Sequence, residues 1–168
     1  MNNMNNRART RGVPAAPRRP SAAGGMPVGK LLISAAALRP AVGAVAADWN
    51  ETHVFNPTWP PHAKLFHNAQ TITLAVEMAA VSLWELWGLG PANRSRLRRA
   101  TLCGGLFWLT QVPAILFPGT AFVDPDHPTQ PFSVAGIPIN QVTIQAAILA
   151  PLRGAGYAAE ARRLREVP

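Results

Sequence analysis

The chain has 168 residues, a formal charge of +8, 14% charged and 48% hydrophobic residues, and 17 prolines. It is too apolar for a disordered chain and poorer in charge than a soluble domain, where about 25% is typical. A single cysteine, Cys103, excludes a disulfide framework and a cysteine-rich zinc site.

Residues 1–27 are rich in Asn, Arg, Ala and Pro, have no apolar period, and read as a disordered basic tail. Met26 opens a more compact start, MPVGKLLIS, which would make the upstream residues an extended or dispensable start. Four apolar segments follow, about Lys30–Ala47, Ala69–Leu89, Ala100–Phe117 and Ile137–Arg153. At about 1.5 Å per residue each approaches the ~30 Å of a bilayer's hydrocarbon core. The second is bounded by Gly88 and Gly90-Pro91; the third is interrupted by Pro113 and closed by Pro118-Gly119. A soluble helical bundle is the alternative, and it accounts poorly for so many near-continuous apolar runs. The first segment has a competing reading as a signal peptide, with Ala44-Val45-Ala46 ahead of Asp48 as its cleavage site. Arg39-Pro40 interrupts it under either reading.

A strongly basic chain invites a nucleic-acid reading, which needs the cations on one folded face. All of the 16 Lys and Arg except Arg39 and Lys64 instead fall in three blocks: before the first apolar run, between the second and third, and from Arg153 onward. Short cytoplasmic loops collect such blocks. The predicted fold is therefore all-α, a four-transmembrane-helix bundle, N-in/C-in, with two ordered outer loops. The organisation is a tail at 1–27, a transmembrane domain at 28–155 and a short cytoplasmic tail at 156–168. The basic blocks serve as orientation signals and anionic-lipid contacts. The lipid bilayer is the partner and nucleic acid is not. The location is an integral membrane one, the plasma (inner) membrane if the source is bacterial. Trp49 and Trp59 fall at the outer interface, Trp84 and Trp87 at the inner one, where Glu85 faces the nearby arginines.

The outer loops concentrate the chemistry. All four histidines lie there, His53, His62, His67 and His127, with half of the eight acids, Asp48, Glu51, Asp124 and Asp126. Histidines and carboxylates carry protons near neutral pH. They also ligate divalent ions, although His62-x4-His67 is not the i,i+4 pair of an HExxH helix. The structural alternative is a loop of caps, stiffening prolines and interfacial imidazoles. Within the spans, Glu77 and Arg39 fall at similar depth. An unpaired charge there is costly, so both are expected to face the bundle interior and to pair. Gln70, Glu77 and Trp84, spaced by seven, share one helix face. With Thr73, Gln111, Gln141 and Gln145 they could line a polar funnel to Glu77, or simply hydrogen-bond between helices. No phosphate loop, GxSxG, HExxH or CxxC occurs.

At Asp48-Trp49-Asn50-Glu51-Thr52-His53, with Asn56-Pro57-Thr58-Trp59-Pro60-Pro61-His62-Ala63-Lys64 and His67-Asn68, the chain resembles a family of small four-helix integral membrane proteins of bacteria and fungi. The resemblance covers about residues 28–153. It implies an integral membrane fold and no secure reaction. Some members carry an acetyltransferase label, which no motif here supports.

The expected function is a small membrane enzyme using acid/base chemistry on a lipophilic small molecule in an outward-facing polar pocket. His53, His62 and His67 are the acid/base candidates and Glu77 the deep carboxylate. The ligand-binding candidates are Asp48, Trp49, Asn50, Glu51, Asn56, Trp59, Lys64, Asn68, Gln111, Gln141 and Gln145. The competing expectation is a non-enzymatic membrane module that binds or moves a small molecule or ion. No metal ligand set and no cofactor is assigned.

Overall fold

The computed structural model describes residues 26–121 and 132–166. Four long helices dominate it. The first, α1, is Val28–Asp48. The second, α2, runs without a break through Pro61–Ala63, a π-helical turn at Lys64–Ala69, and Gln70–Trp87. The third, α3, is Arg94–Ala114. A hairpin of β1 (Ser133–Val134) and β2 (Ile137–Pro138) precedes α4, which runs through Gln141–Ile144, a second π-helical turn at Gln145–Leu149, and Ala150–Glu166.

Local chemistry explains most of the boundaries. Pro61 starts α2 at a position where its missing N–H costs nothing. Asn93 caps α3, its side-chain oxygen accepting from the Arg96 backbone N–H at 2.9 Å. Arg96 closes α2 from the far side of the turn, donating to the carbonyls of Trp84 and Leu89, each at 2.8 Å. The hairpin turns at Ala135-Gly136, both with positive φ, 50° and 77°.

Several sequence expectations are corrected. The fourth apolar segment does not begin its helix at Ile137, because residues 133–138 form the hairpin. The third ends at Ala114, one residue after Pro113. Residues 156–166, expected as a tail, continue α4. Gly156 holds them against α1: a Cβ on Gly156 would lie 2.9 Å from the carbonyl of Gly29, and one on Gly29 would lie 2.6 Å from the backbone nitrogen of Glu160. Among the described residues only α1 is long and apolar enough by itself to cross a membrane. The other helices incorporate charged or polar turns expected in loops or tails: Lys64–Asn68 in α2, Arg94–Arg99 in α3 and Arg162–Arg165 in α4. The basic tail before Met26 and the loop with Asp124, Asp126 and His127 lie outside the described residues.

Helix α1 packs against all three others, and α3 lies between α2 and α4. Two apolar clusters fill the bundle. Ile33, Leu86, Leu97, Ala100 and Ala161 occupy the arginine-rich end. Ala44, Ile72, Ala75 and Phe107, with Val54 and Trp108, occupy the end that carries the loops. Between them α1, α2 and α3 meet at Gly104, where a Cβ would lie 2.9 Å from both the Ala37 methyl and the Ser82 hydroxyl. Small residues allow this approach. Ser82, fully buried, donates to the carbonyl of Ala100 at 2.8 Å. Apolar side chains also lie on the outward surface. Leu31, Leu38 and Val42 on α1, Val76 and Val81 on α2, Leu102, Leu109 and Val112 on α3, and Ile148 on α4 are all exposed.

Candidate functional site

The segment 49–60 folds into a compact cap over the loop end. Its turns are held by two asparagines. The Asn50 side chain donates to the Ala47 carbonyl at 2.5 Å and accepts from both the N–H and the hydroxyl of Thr52. Asn56, buried, accepts from the N–H and hydroxyl of Thr58 and donates to the Thr52 carbonyl. These are Asx turns. They engage the amide oxygens of Asn50 and Asn56 and one N–H of each, so both residues fasten the loop.

The cap brings together residues distant in sequence. The rings of His53 and His67 stack, with centroids 6.0 Å apart and planes 15° apart. The Trp59 indole packs edge-on against both, 5.4 Å from His53 and 5.1 Å from His67. Beneath them Asp48 is buried at the end of α1, within electrostatic range of both imidazoles. The π-helical turn that carries His67 also buries Asn68, which is only 2% exposed. Both polar atoms of its amide lack a hydrogen-bond partner among the described residues. The indole nitrogen of Trp108 and the Oε1 of Gln111, at the same end of α3, are buried and unpartnered too. Buried polar atoms are normally satisfied, and each exception calls for a cause.

Thr52 links Asn50 to His53. Its hydroxyl lies 2.7 Å from Asn50 Oδ1 and 2.7 Å from His53 Nδ1. A hydroxyl has one proton. If it goes to Asn50 Oδ1, which can only accept, then His53 Nδ1–H donates to Thr52 and Nε2 is left as the basic nitrogen. Thr52 was not singled out by sequence, because a lone threonine in a loop carries no signal.

Other candidates lie apart. His62 is exposed, its ring tilted against Phe66 one turn on, centroids 4.6 Å apart. Glu51 is exposed, Lys64 half-buried in the π-helical turn, and Trp49 exposed with its ring edge-on to Phe55. Gln70, Glu77 and Trp84 do share one face of α2, but it faces away from the bundle. Arg39 is likewise exposed on α1, so the expected Arg39–Glu77 pair and the funnel to Glu77 do not form. A 3.6-residue period shows which residues share a face, but not which face is covered. Thr73 turns its hydroxyl to its own helix, donating to Ala69 at 2.8 Å. The side chain of Gln141 lies outside the described part.

Gln145 belongs elsewhere. With its amide turned to satisfy its neighbours, its oxygen accepts from both terminal nitrogens of Arg153, at 3.2 and 2.6 Å. Arg153, read from sequence as part of a basic block, is buried against Gly104 and Gly105. At the arginine-rich end Glu85 pairs with Arg99 at 2.7 Å and Arg96 at 3.4 Å, as its neighbourhood predicts. Glu160, 2% exposed, pairs with Arg163 at 2.6 Å. Among the described residues no group of three or more His, Cys, Asp or Glu could hold a metal ion.

Comparison with known proteins finds one family. Its description reads "Family of unknown function (DUF6640)", and it matches residues 32–167. No curated protein and no solved structure matches the chain.

Proposed function

As the chain belongs to this family of unknown function, we propose its role from its own geometry: an integral membrane protein with an acid/base site at the loop end, acting on a lipophilic small molecule. Membrane insertion of all four helices is supported by the apolar side chains exposed along each of them. It is also supported by the exposed indoles, Trp49 at the loop end and Trp84 and Trp87 at the other. The basic blocks at Arg94–Arg99 and Arg162–Arg165 then mark the cytoplasmic side, and the loop end faces outward. The loop motif around Asp48–Asn68 is the feature by which relatives from bacteria and fungi would be recognised.

The His53–Trp59–His67 cluster above buried Asp48 and Asn68 carries the reading. With Nδ1–H held by Thr52, His53 offers Nε2 to take a proton from a substrate. Asp48 stabilises the imidazolium that results, more strongly for being shielded from water. His67 is the second proton carrier, and the unpartnered Asn68 amide supplies both a donor and an acceptor for a polar group of the substrate. Trp59 and Trp108 provide apolar walls. Neither His62 nor Glu77 takes part.

The test is turnover in nanodiscs against a panel of membrane-soluble compounds, read by mass spectrometry. Proton transfer by a positioned side chain is worth about 10²–10⁴-fold. H53Q and H67Q should lose activity on that scale, while H62Q and E77Q keep it. Equal activity in all four variants would overturn the assignment. The orphan amide of Asn68 also favours a second reading, a binding module without turnover. In that case compounds are retained unchanged, and N68L abolishes retention.

A further inference from the structure

The arginine Arg153 is 8% exposed, yet no carboxylate faces it among the described residues, whose ion pairs involve only Glu85 and Glu160 as acids. Its acceptors are neutral: the Gly104 carbonyl at 3.3 Å and, with the amide turned, the Gln145 oxygen. A guanidinium has five donors, and these contacts leave part of the fork unused. A buried cation without an anion is expensive, and such charges are ordinarily paired.

Arg153 also lines a groove of about 460 Å³ between α3 and α4. Arg98 stands at its arginine-rich end, Tyr157 beside it, and Leu102, Leu109 and Ala150 form the apolar remainder. From Arg98 to Leu109 the groove follows α3 for about 16 Å of helix rise. Gly105 makes the room: a Cβ there would collide with the Arg153 guanidinium. Gly154, on the opposite wall, leaves the groove open, since a Cβ there would meet nothing within 4 Å.

We propose that this groove binds one anionic phospholipid, with Arg153 and Arg98 on the phosphate and an acyl chain along Leu102 and Leu109. The charge selects an anion and the apolar length selects a chain. The position at the arginine-rich end puts the headgroup in the leaflet that the basic blocks face. The inference rests on the membrane reading but is independent of the histidine site.

The test uses the full chain, recovered from the membrane fraction and examined by native mass spectrometry with phosphatidylglycerol and phosphatidylcholine in equal amounts. One phosphatidylglycerol per chain is expected, favoured at least tenfold over phosphatidylcholine. G154L places an apolar side chain in the groove while keeping the Arg153 charge, R153Q removes the charge, and both should abolish that preference. R162Q, an exposed cation on α4, should keep it. Retention in G154L, equal occupancy by both lipids, loss in R162Q, or displacement by equimolar oleate would overturn the lipid site. Recovery of the chain in the soluble fraction would instead overturn the membrane reading beneath it.

Discussion

Lys30, near the start of α1, donates its ammonium to the carbonyl of Leu86 at 2.6 Å and stands 5.0 Å from the ring centre of Trp87. Trp87 returns a bond, its indole N–H donating to Ser34 at 2.9 Å. One cation thus closes the carbonyl end of α2 and ties it to α1. Replacement of Lys30 by Met keeps the apolar stem and loses the charged hydrogen bond and the cation–π contact. We expect a loss of about 1–2 kcal/mol, seen as a lower unfolding midpoint in detergent. An unchanged midpoint would show the tie to be energetically idle.

The crossing of α1 and α4 depends on Gly29 and Gly156. Any side chain at Gly156 meets the Gly29 carbonyl and Ile33. Gly156→Leu should cost about 1–3 kcal/mol through overpacking and release the end of α4. Hydrogen exchange would then rise in residues 156–166 while α2 and α3 stay protected. Uniform exchange across all four helices would contradict this packing.

Trp59 reports on the histidine cluster. Its indole packs edge-on against His53 and His67, with ring centres 5.4 and 5.1 Å away. The fluorescence lost in a Trp59→Phe variant should therefore change in intensity when His53 or His67 is replaced by Gln, and stay the same in His62→Gln. An unchanged Trp59 signal in the His53→Gln, His67→Gln double variant would show that the rings do not pack on Trp59.

Topology is checked by labelling. With Cys103 replaced by Ala, single cysteines at the exposed positions Glu51 and Ser95 should react from opposite faces of sealed vesicles. An impermeant thiol reagent added outside intact cells should modify E51C and spare S95C. Labelling of both to the same extent would remove the membrane orientation.

Much of the helical architecture was legible in the sequence because apolar runs, Gly-Pro breaks and basic blocks are local signals. The ends were less legible. Gln141–Leu149 and Pro61–Ala69 contain π-helical turns, which break the 3.6-residue register by which a sequence is read. Both turns bury the polar residue that matters, Asn68 in one and Gln145 in the other.

Part of the candidate cluster was legible. Clustering of histidines and acids pointed to the segment 48–68, and His53, His67, Asp48, Trp59 and Asn68 lie together there. Glu77 and Arg39 looked inward on energetic grounds, yet both face outward, since charge cost says nothing of which helix face a neighbour covers. Thr52, Glu160 and the burial of Arg153 left no trace in spacing or composition.

By itself the sequence determined the number of long helices, the grouping of its cations into blocks and the loop rich in histidine. Each follows from composition along a short stretch of chain. Only the tertiary structure decided which polar groups are buried together, because burial depends on what another helix brings to the same place. Among the described residues the arginines thereby separate into those that are exposed or half-buried and one, Arg153, buried without an acidic partner.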